Sequence, residues 1–243
     1  MTPMPRHKLD SIEAMRGAVR EIVAWERYLG GFMPSMSLSN ETPSREPTAA
    51  VVEPVVNAEQ IAQRLQVLRD QASQCTRCEL HTGRTKSVFS RGSQMASLAF
   101  VGEGPGYNED QQGEPFVGRA GKLLDKMIQA MGYRPDEVYI CNVVKCRPPE
   151  NRTPLPNEAH ACLPFLQEQL SLVAPKVIVA LGKCAVEYLE CMPPSGRGWR
   201  GSWNSWSGID VMPTYHPAFL LRSPQFKKVV WEDLQRVIER LKA

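Results

Sequence analysis

The 243-residue sequence has no uninterrupted apolar run near the roughly 20 residues that a membrane-crossing helix needs. Its first residues, MTPMPRHKLD, lack the apolar centre of a secretory signal, so the expected location is the cytoplasm. There is no large excess of charge of either sign. Lys and Arg total 29 against 26 Asp and Glu, a net charge of +3 that permits a nucleic-acid partner without requiring one. What excess there is lies late in the chain: residues 1–57 carry 6 basic against 7 acidic residues, and the remainder 23 against 19. No segment repeats at a fixed period, which argues against a solenoid or propeller. A composition of 42% hydrophobic and 23% charged residues also excludes collagen-like, coiled-coil and wholly disordered chains. Seven cysteines is an odd number, and cytoplasmic thiols stay reduced, so metal binding is a better question than a disulfide framework.

Two regions are expected. In residues 1–57, Leu9, Ile12, Met15, Val19, Ile22, Val23 and Leu29 recur mostly at three- and four-residue steps. Asp10 and Glu13 resemble a capping box, and Gly30-Gly31 stops the helix. A Pro/Ser/Thr-rich stretch, MPSMSLSNETPSREPTAAVVEPVV, reads as a flexible linker. The helix could dock on the body, bind a partner protein or dimerise. Residues 58–243 alternate between helical and strand patterns. A helix around Ile61, Leu65 and Leu68 precedes the strand LAFVG at 98–102. A helix carrying Leu123, Leu124, Met127, Ile128 and Met131 precedes the strand VYICNVV. A helix near 157–173, bent at Pro164, leads to the strand KVIVAL and a helix near 183–190. SGRGWRGSWNSWSG reads as loop or hairpin, IDVMP as a fourth strand, and KKVVWEDLQRVIERLK as a closing amphipathic helix. The predicted fold class is therefore α/β, with a short parallel sheet covered on both faces as a three-layer α/β/α sandwich.

In such sheets the reactive crevice lies beyond the carboxyl ends of the strands. That rule selects GEGPGYNED after the first strand, Asn142 near the end of the second and TYHPAFLLR after the fourth. GEGPG follows a strand as a phosphate loop would, but it matches neither G-x-G-x-x-G nor a Walker motif, and Pro105 removes an amide donor. A tight turn that brings amides close to a planar ligand fits better. Glu109 and Asp110 read either as pocket residues or as a solvated acidic loop. Phe116, in GEPFVG, is either core or a stacking platform for a flat ring. Asn142 interrupts an apolar strand, and its amide offers one donor and one acceptor face to a base edge. His216 stands in a loop before Pro217. AFLLR places Leu220 and Leu221 beside Arg222, a wedge and a charge suited to opening a DNA stack, or an apolar anchor for the loop.

Cys75 and Cys78 form C-x2-C, while Cys146 and Cys162 stand fifteen residues apart. One turn can present the first two thiolates, and the second pair can close the site from elsewhere. Four thiolates suit structural zinc and an iron–sulfur cluster equally well on spacing alone. Cys141, Cys184 and Cys191 sit in or beside apolar segments and are expected to be core.

GEGPGYNEDQQGEPFVGRAGKLLDKM, VYICNVVKCRPPENRTP, KVIVALG and YHPAFLLR, in that order, resemble the family 4 uracil-DNA glycosylases, the iron–sulfur branch of that superfamily. The resemblance spans roughly residues 60–240. It implies an α/β/α fold, a 4Fe–4S cluster on Cys75, Cys78, Cys146 and Cys162, and uracil-containing DNA as partner. It places Glu103, Gly104, Glu109, Phe116, Asn142 and His216 around a flipped uracil. In that setting Phe116 stacks on the base, Asn142 reads its edge, Glu109 crowds the 5-position and His216 stabilises the departing anion. Leu220 or Leu221 fills the vacated stack, and Arg222 holds a phosphate. The best-known branch carries a water-activating aspartate in the motif corresponding to Gly102–Gly106. Here there is none, and no other residue is assigned that role. Three rival readings remain at this level: a non-catalytic uracil- or DNA-binding Fe–S module, a redox or metal sensor, and a glycosylase of wider base specificity.

Overall fold

A computed structural model of the chain describes residues 57–242. The helix and linker expected over residues 1–56 lie outside the described residues.

The first described element, α1 (Ala58–Gln74), starts where Asn57 and Gln60 cap each other. Asn57 Oδ1 accepts from Gln60 N at 2.8 Å and Gln60 Oε1 accepts from Asn57 N at 3.0 Å. A single turn, α2 (Leu80–Gly83), follows the C-x2-C segment. The strands are β1 (Ser90–Gly92), β2 (Leu98–Gly102), β3 (Tyr139–Asn142), β4 (Val177–Leu181), β5 (Asn204–Trp206) and β6 (Ile209–Thr214). They form one six-stranded sheet in the order β1-β3-β2-β4-β6-β5. β3, β2, β4 and β6 are mutually parallel, and the short edge strands β1 and β5 pair antiparallel. The remaining helices are α3 (Tyr107–Gln112), α4 (Arg119–Ala130), α5 (Pro156–Val173), α6 (Lys183–Tyr188), α7 (Pro217–Arg222) and α8 (Lys227–Lys242).

Alternation along the strands builds the layers. Ala99, Val101, Tyr139, Cys141, Ile178 and Ala180 face one apolar cluster, which α1, α5 and α6 complete with Leu65, Leu68, Leu166, Leu170 and Val186. Leu98, Phe100, Ile140, Val177, Val179 and Leu181 face a second cluster, completed by Leu124 and Ile128 of α4, Leu220 of α7, and Val230, Leu234 and Val237 of α8. Both faces are thus buried, which is why the parallel strands read as continuous apolar runs. The result is the predicted three-layer α/β/α arrangement. α5 runs through Pro164 as one helix. The Trp-rich stretch contains the β5–β6 hairpin, turned by Ser207 (φ 48) and Gly208 (φ 82), the two positive values a tight hairpin turn needs. Cys141, Cys184 and Cys191 are buried as expected.

Besides the single turn α2, which was not read, three elements differ from the sequence reading. β1 is three residues with no apolar alternation. α3 and α7 were expected as loops; at six residues each they are too short to show a helical period.

Candidate active site

β2 and β3 run parallel with Gly102 opposite Asn142, so both strands end at the same level. This register brings GEGPG and Asn142 together at the carboxyl edge. A Cβ on Gly102 would stand 2.4 Å from Asn142 Oδ1 and 2.5 Å from Phe116 Cζ. Only the absence of a side chain there lets the ring and the amide meet. Gly104 is similarly close to Val144, where a Cβ would stand 2.7 Å from Cγ2.

Phe116 is held in an uncommon conformation. Its φ is +57, and its side chain is buried. A β-carbon on Gly121 would stand 1.7 Å from the Phe116 carbonyl oxygen, so α4 must carry a glycine for the loop to lie against it. Glu109, on α3, accepts from the amides of Val117 (3.0 Å) and Gly118 (2.8 Å) through Oε1. Arg91 Nε donates to Pro115 O at 2.9 Å. These contacts over-determine the loop and hold the ring in its left-handed pose. Asp110 turns inward too: it is 1% exposed, and its Oδ1 accepts from Thr85 N at 2.8 Å. The solvated acidic loop expected as one reading is therefore replaced by two inward-turned carboxylates on a short helix.

Asn142 is 2% exposed, and its Oδ1 is buried without a hydrogen-bond partner. A buried acceptor left unpaired is costly, and because Asn142 lines a cavity, a donor from a bound molecule can complete its bonding.

His216 is the N-cap of α7, and its Nδ1 accepts from Ala218 N at 3.1 Å. In the neutral ring the proton is then on Nε2, which is left as a donor. Burial, with a smaller contribution from the Arg222 charge, pushes the His216 pKa down to about 4. The ring is therefore uncharged at neutral pH. Phe116 and His216 rings lie 5.6 Å apart. Gly182 closes the other side of His216: a Cβ there would be 3.1 Å from the histidine Cβ.

One cavity of about 410 Å³ collects these groups. Its lining includes Glu103, Gly104, Glu109, Phe116, Asn142, His216 and Arg222. All six residues placed around the base by the resemblance thus line one space. Burial raises the Glu103 carboxyl pKa, opposed by a hydrogen bond from Thr153. Pro148, Asn151, Arg152 and Thr153 complete a wall that was not read from the sequence. Its signal was the pair Arg152 and Glu158, six residues apart across a helix start, where the side chains form two bonds of 2.8 and 2.7 Å.

The two leucines separate. Leu220 is 1% exposed, on the core-facing side of α7, which points away from the surface a DNA contact needs. Leu221 is 38% exposed.

Cys75, Cys78, Cys146 and Cys162 line a second, small cavity. Cys75 Sγ accepts from Arg77 Nε at 3.4 Å, Cys146 Sγ from Arg84 Nη1 at 3.3 Å, and Cys162 Sγ from Lys145 N at 3.3 Å. Among the described residues, no group of three or more His, Cys, Asp or Glu side chains is arranged to hold a single metal ion.

Comparison with known proteins agrees with this geometry. Residues 89–235 match the model of the uracil DNA glycosylase superfamily. A type-4 uracil-DNA glycosylase of Thermotoga maritima is 44% identical over 176 residues, 71% of this chain and 92% of that protein. Proteins of the same description from Sulfurisphaera tokodaii and Saccharolobus solfataricus are 41% and 40% identical, over 72% and 73% of this chain and 84% and 86% of theirs. With a family match across most of the described fold and three such relatives covered nearly end to end, the chain belongs to the uracil-DNA glycosylase superfamily, in its type-4 branch.

Proposed function

We propose that this chain removes uracil from DNA by hydrolysing the N-glycosidic bond, releasing free uracil and leaving an abasic site for repair. The observation that carries the reading is the orphaned Oδ1 of Asn142, buried at a strand end beside the Phe116 ring. Uracil supplies what that atom lacks: its N3–H donates to Oδ1, and its O4 accepts from Nδ2. Cytosine offers an acceptor at N3 and a donor at C4, so both groups would face like partners in a buried site. Such mismatches reject the wrong base by orders of magnitude.

The base must leave the stack to reach this cavity. Phe116 supports one face of it. Glu109, pinned by the two loop amides, fixes the Phe116 loop and crowds the ring edge where thymine carries a methyl. As the glycosidic bond lengthens, negative charge builds on the departing base. The neutral His216 donates from Nε2 to that charge, and amides near Gly104 add to it. One such donor is worth about 3 kcal/mol, or roughly 10²-fold in rate. Glu103 is the cavity carboxylate not spent on backbone amides, and we assign to it the holding of the attacking water. Leu221 enters the vacated stack, and Arg222 holds a phosphate.

A 4Fe–4S cluster is the cofactor we assign to the cysteine cavity. The donor set fits: four thiols on one cavity, three of them receiving N–H bonds as thiolate sulfurs do. What favours a cluster over zinc is membership of the type-4 branch, which the motif resemblance describes as the iron–sulfur one. The cluster would tie the C-x2-C turn to the β3–α5 segment. Seven free thiols and this cofactor suit the reducing cytoplasm.

The test is incubation of the purified protein with a uracil-containing oligonucleotide, followed by alkaline strand cleavage. Cleavage at uracil alone is expected, reduced at least 10²-fold in Asn142→Ala. Tight binding of the uracil strand without release would instead make the chain a binding module.

A further inference from the structure

The cavity explains recognition of the flipped base but says nothing of its neighbours in the strand. Next in sequence to one of the cavity's lining residues stands an aromatic side chain with no role in the core. Tyr107, the first residue of α3, is 57% exposed. It follows Gly106, which lines the cavity. The Arg147 guanidinium lies over its ring, 5.1 Å from the centroid. Arg147 in turn precedes Pro148, another lining residue. Its Nε donates to Asn151 Oδ1 at 2.8 Å, which fixes the guanidinium in place. Asn151 and its neighbour Glu150 both hold positive φ, 56 and 55, so the turn that presents Asn151 is an uncommon one.

Apart from the exposed Glu150 on the same turn, which lies outside ion-pair distance of Arg147, the charges around this pair favour a polyanion. Arg147 forms no ion pair among the described residues, unlike Arg152, whose charge is matched by Glu158. The two carboxylates of α3 point away from the surface, Glu109 onto the Phe116 loop and Asp110 onto Thr85. The exposed positions of α3 are therefore Tyr107, Asn108, Gln111 and Gln112, all uncharged. An exposed aromatic face beside an unneutralised guanidinium is the combination that single-stranded nucleic-acid channels use: the ring stacks on a base of any identity, and the cation meets the phosphate.

We propose that Tyr107 and Arg147 form a stacking shelf for the nucleobase next to the flipped uridine, so that the strand is gripped at two successive nucleotides. The shelf rests on the glycosylase reading, because that reading places the uridine in the adjoining cavity. It also makes a single strand a good substrate, since a neighbouring base can reach the shelf only when it is free of its own pairing partner.

The probe is a short single strand carrying one non-hydrolysable 2′-fluoro-deoxyuridine, made with ordinary bases or with abasic sites on both sides of it. Affinity is measured by fluorescence anisotropy for the wild-type protein, Tyr107→Ala and Tyr107→Phe. The expected result is that wild type and Tyr107→Phe bind the fully based strand about 10-fold more tightly than the abasic-flanked one, and that Tyr107→Ala binds the two alike. Equal affinity of the wild-type protein for both strands overturns the shelf. So does an equal loss on both strands in Tyr107→Ala, since the ring would then act without a neighbouring base. A control strand with thymidine in place of the fluorinated uridine reports on the parent reading alone: if wild type binds it as tightly, the uracil cavity is wrong, whatever the flanking bases do.

Discussion

The neutrality of His216 has a consequence for the pH dependence of the reaction. The proposed reaction needs the ring uncharged, with Nε2–H as donor, and a pKa of about 4 keeps it so. With that value about nine-tenths of the protein is in the active form at pH 5; with the ordinary value near 6.5 only ~3% would be, a loss of about 30-fold. Single-turnover uracil release limited by His216 is therefore expected to change less than about 2-fold between pH 8 and pH 5. Glu103, whose carboxyl is raised by burial, is a second cavity group that titrates on the acid side. An acid limb that disappears in Glu103→Gln belongs to it and not to the histidine. Stability carries the same signature with a definite sign. Above pH 6.5 the imidazole is neutral in both states and its burial is unopposed by protonation. As pH falls towards 4 the unfolded chain takes up a proton that the folded chain refuses, so stability is lost. The loss is about 2 kcal/mol at pH 5 and about 3 kcal/mol near pH 4. Urea unfolding of wild type and His216→Gln at pH 7 and pH 5 measures it: the wild type should lose about 2 kcal/mol more than the variant. Parallel losses in the two proteins, or a release rate in Glu103→Gln that falls with a midpoint near 6.5, would refute the reasoning.

Three further outcomes follow from the geometry. Gly102→Ala places a methyl 2.4 Å from Asn142 Oδ1 and 2.5 Å from Phe116 Cζ; uracil release should fall at least 10²-fold, and binding of free uracil, followed by calorimetry, should be lost with it. Leu220→Ala removes a core side chain and should cost about 2–5 kcal/mol in urea unfolding, whereas Leu221→Ala should leave stability within about 0.5 kcal/mol and slow release from double-stranded DNA more than from a single strand; the reverse pattern would exchange the two roles. Replacing Cys146 or Cys162 with Ser should lower bound iron and sulfide in colorimetric assay and lower the melting temperature, while the same change at Cys184 or Cys191, buried core thiols outside the cysteine cavity, should leave iron content unchanged.

The central strands were legible because burial on both faces writes an unbroken apolar run, as in LAFVG and KVIVAL. The long helices showed their periods. The cavity was legible in outline because strand ends, and not spacing, collect GEGPG, Asn142 and YHP. What the sequence hid is what three dimensions decide. Leu220 and Leu221 are chemically equivalent and adjacent, and only the seating of α7 buries one and exposes the other. Glu109 and Asp110 look like a solvated pair until the short helix turns both inward. The wall from Pro148 to Thr153 has no apolar pattern at all; an isolated Arg–Glu pair, and not periodicity, holds it. Gly102 resembles any strand-ending glycine until the two groups meeting above it are located.

The position of His216 immediately before Pro217 has an implication for how the enzyme meets its substrate. The proline ring bars the preceding residue from helical backbone angles, and His216 sits accordingly at φ −66 and ψ 139. The imidazole cannot be wound into α7 or swung away by extending that helix by one residue. With the backbone fixed there, the Nδ1 bond to Ala218 N and the close approach of Gly182 set the ring's aim within the folded chain, and in the proposed reaction the adjustment needed to bring base and donor together falls on the DNA.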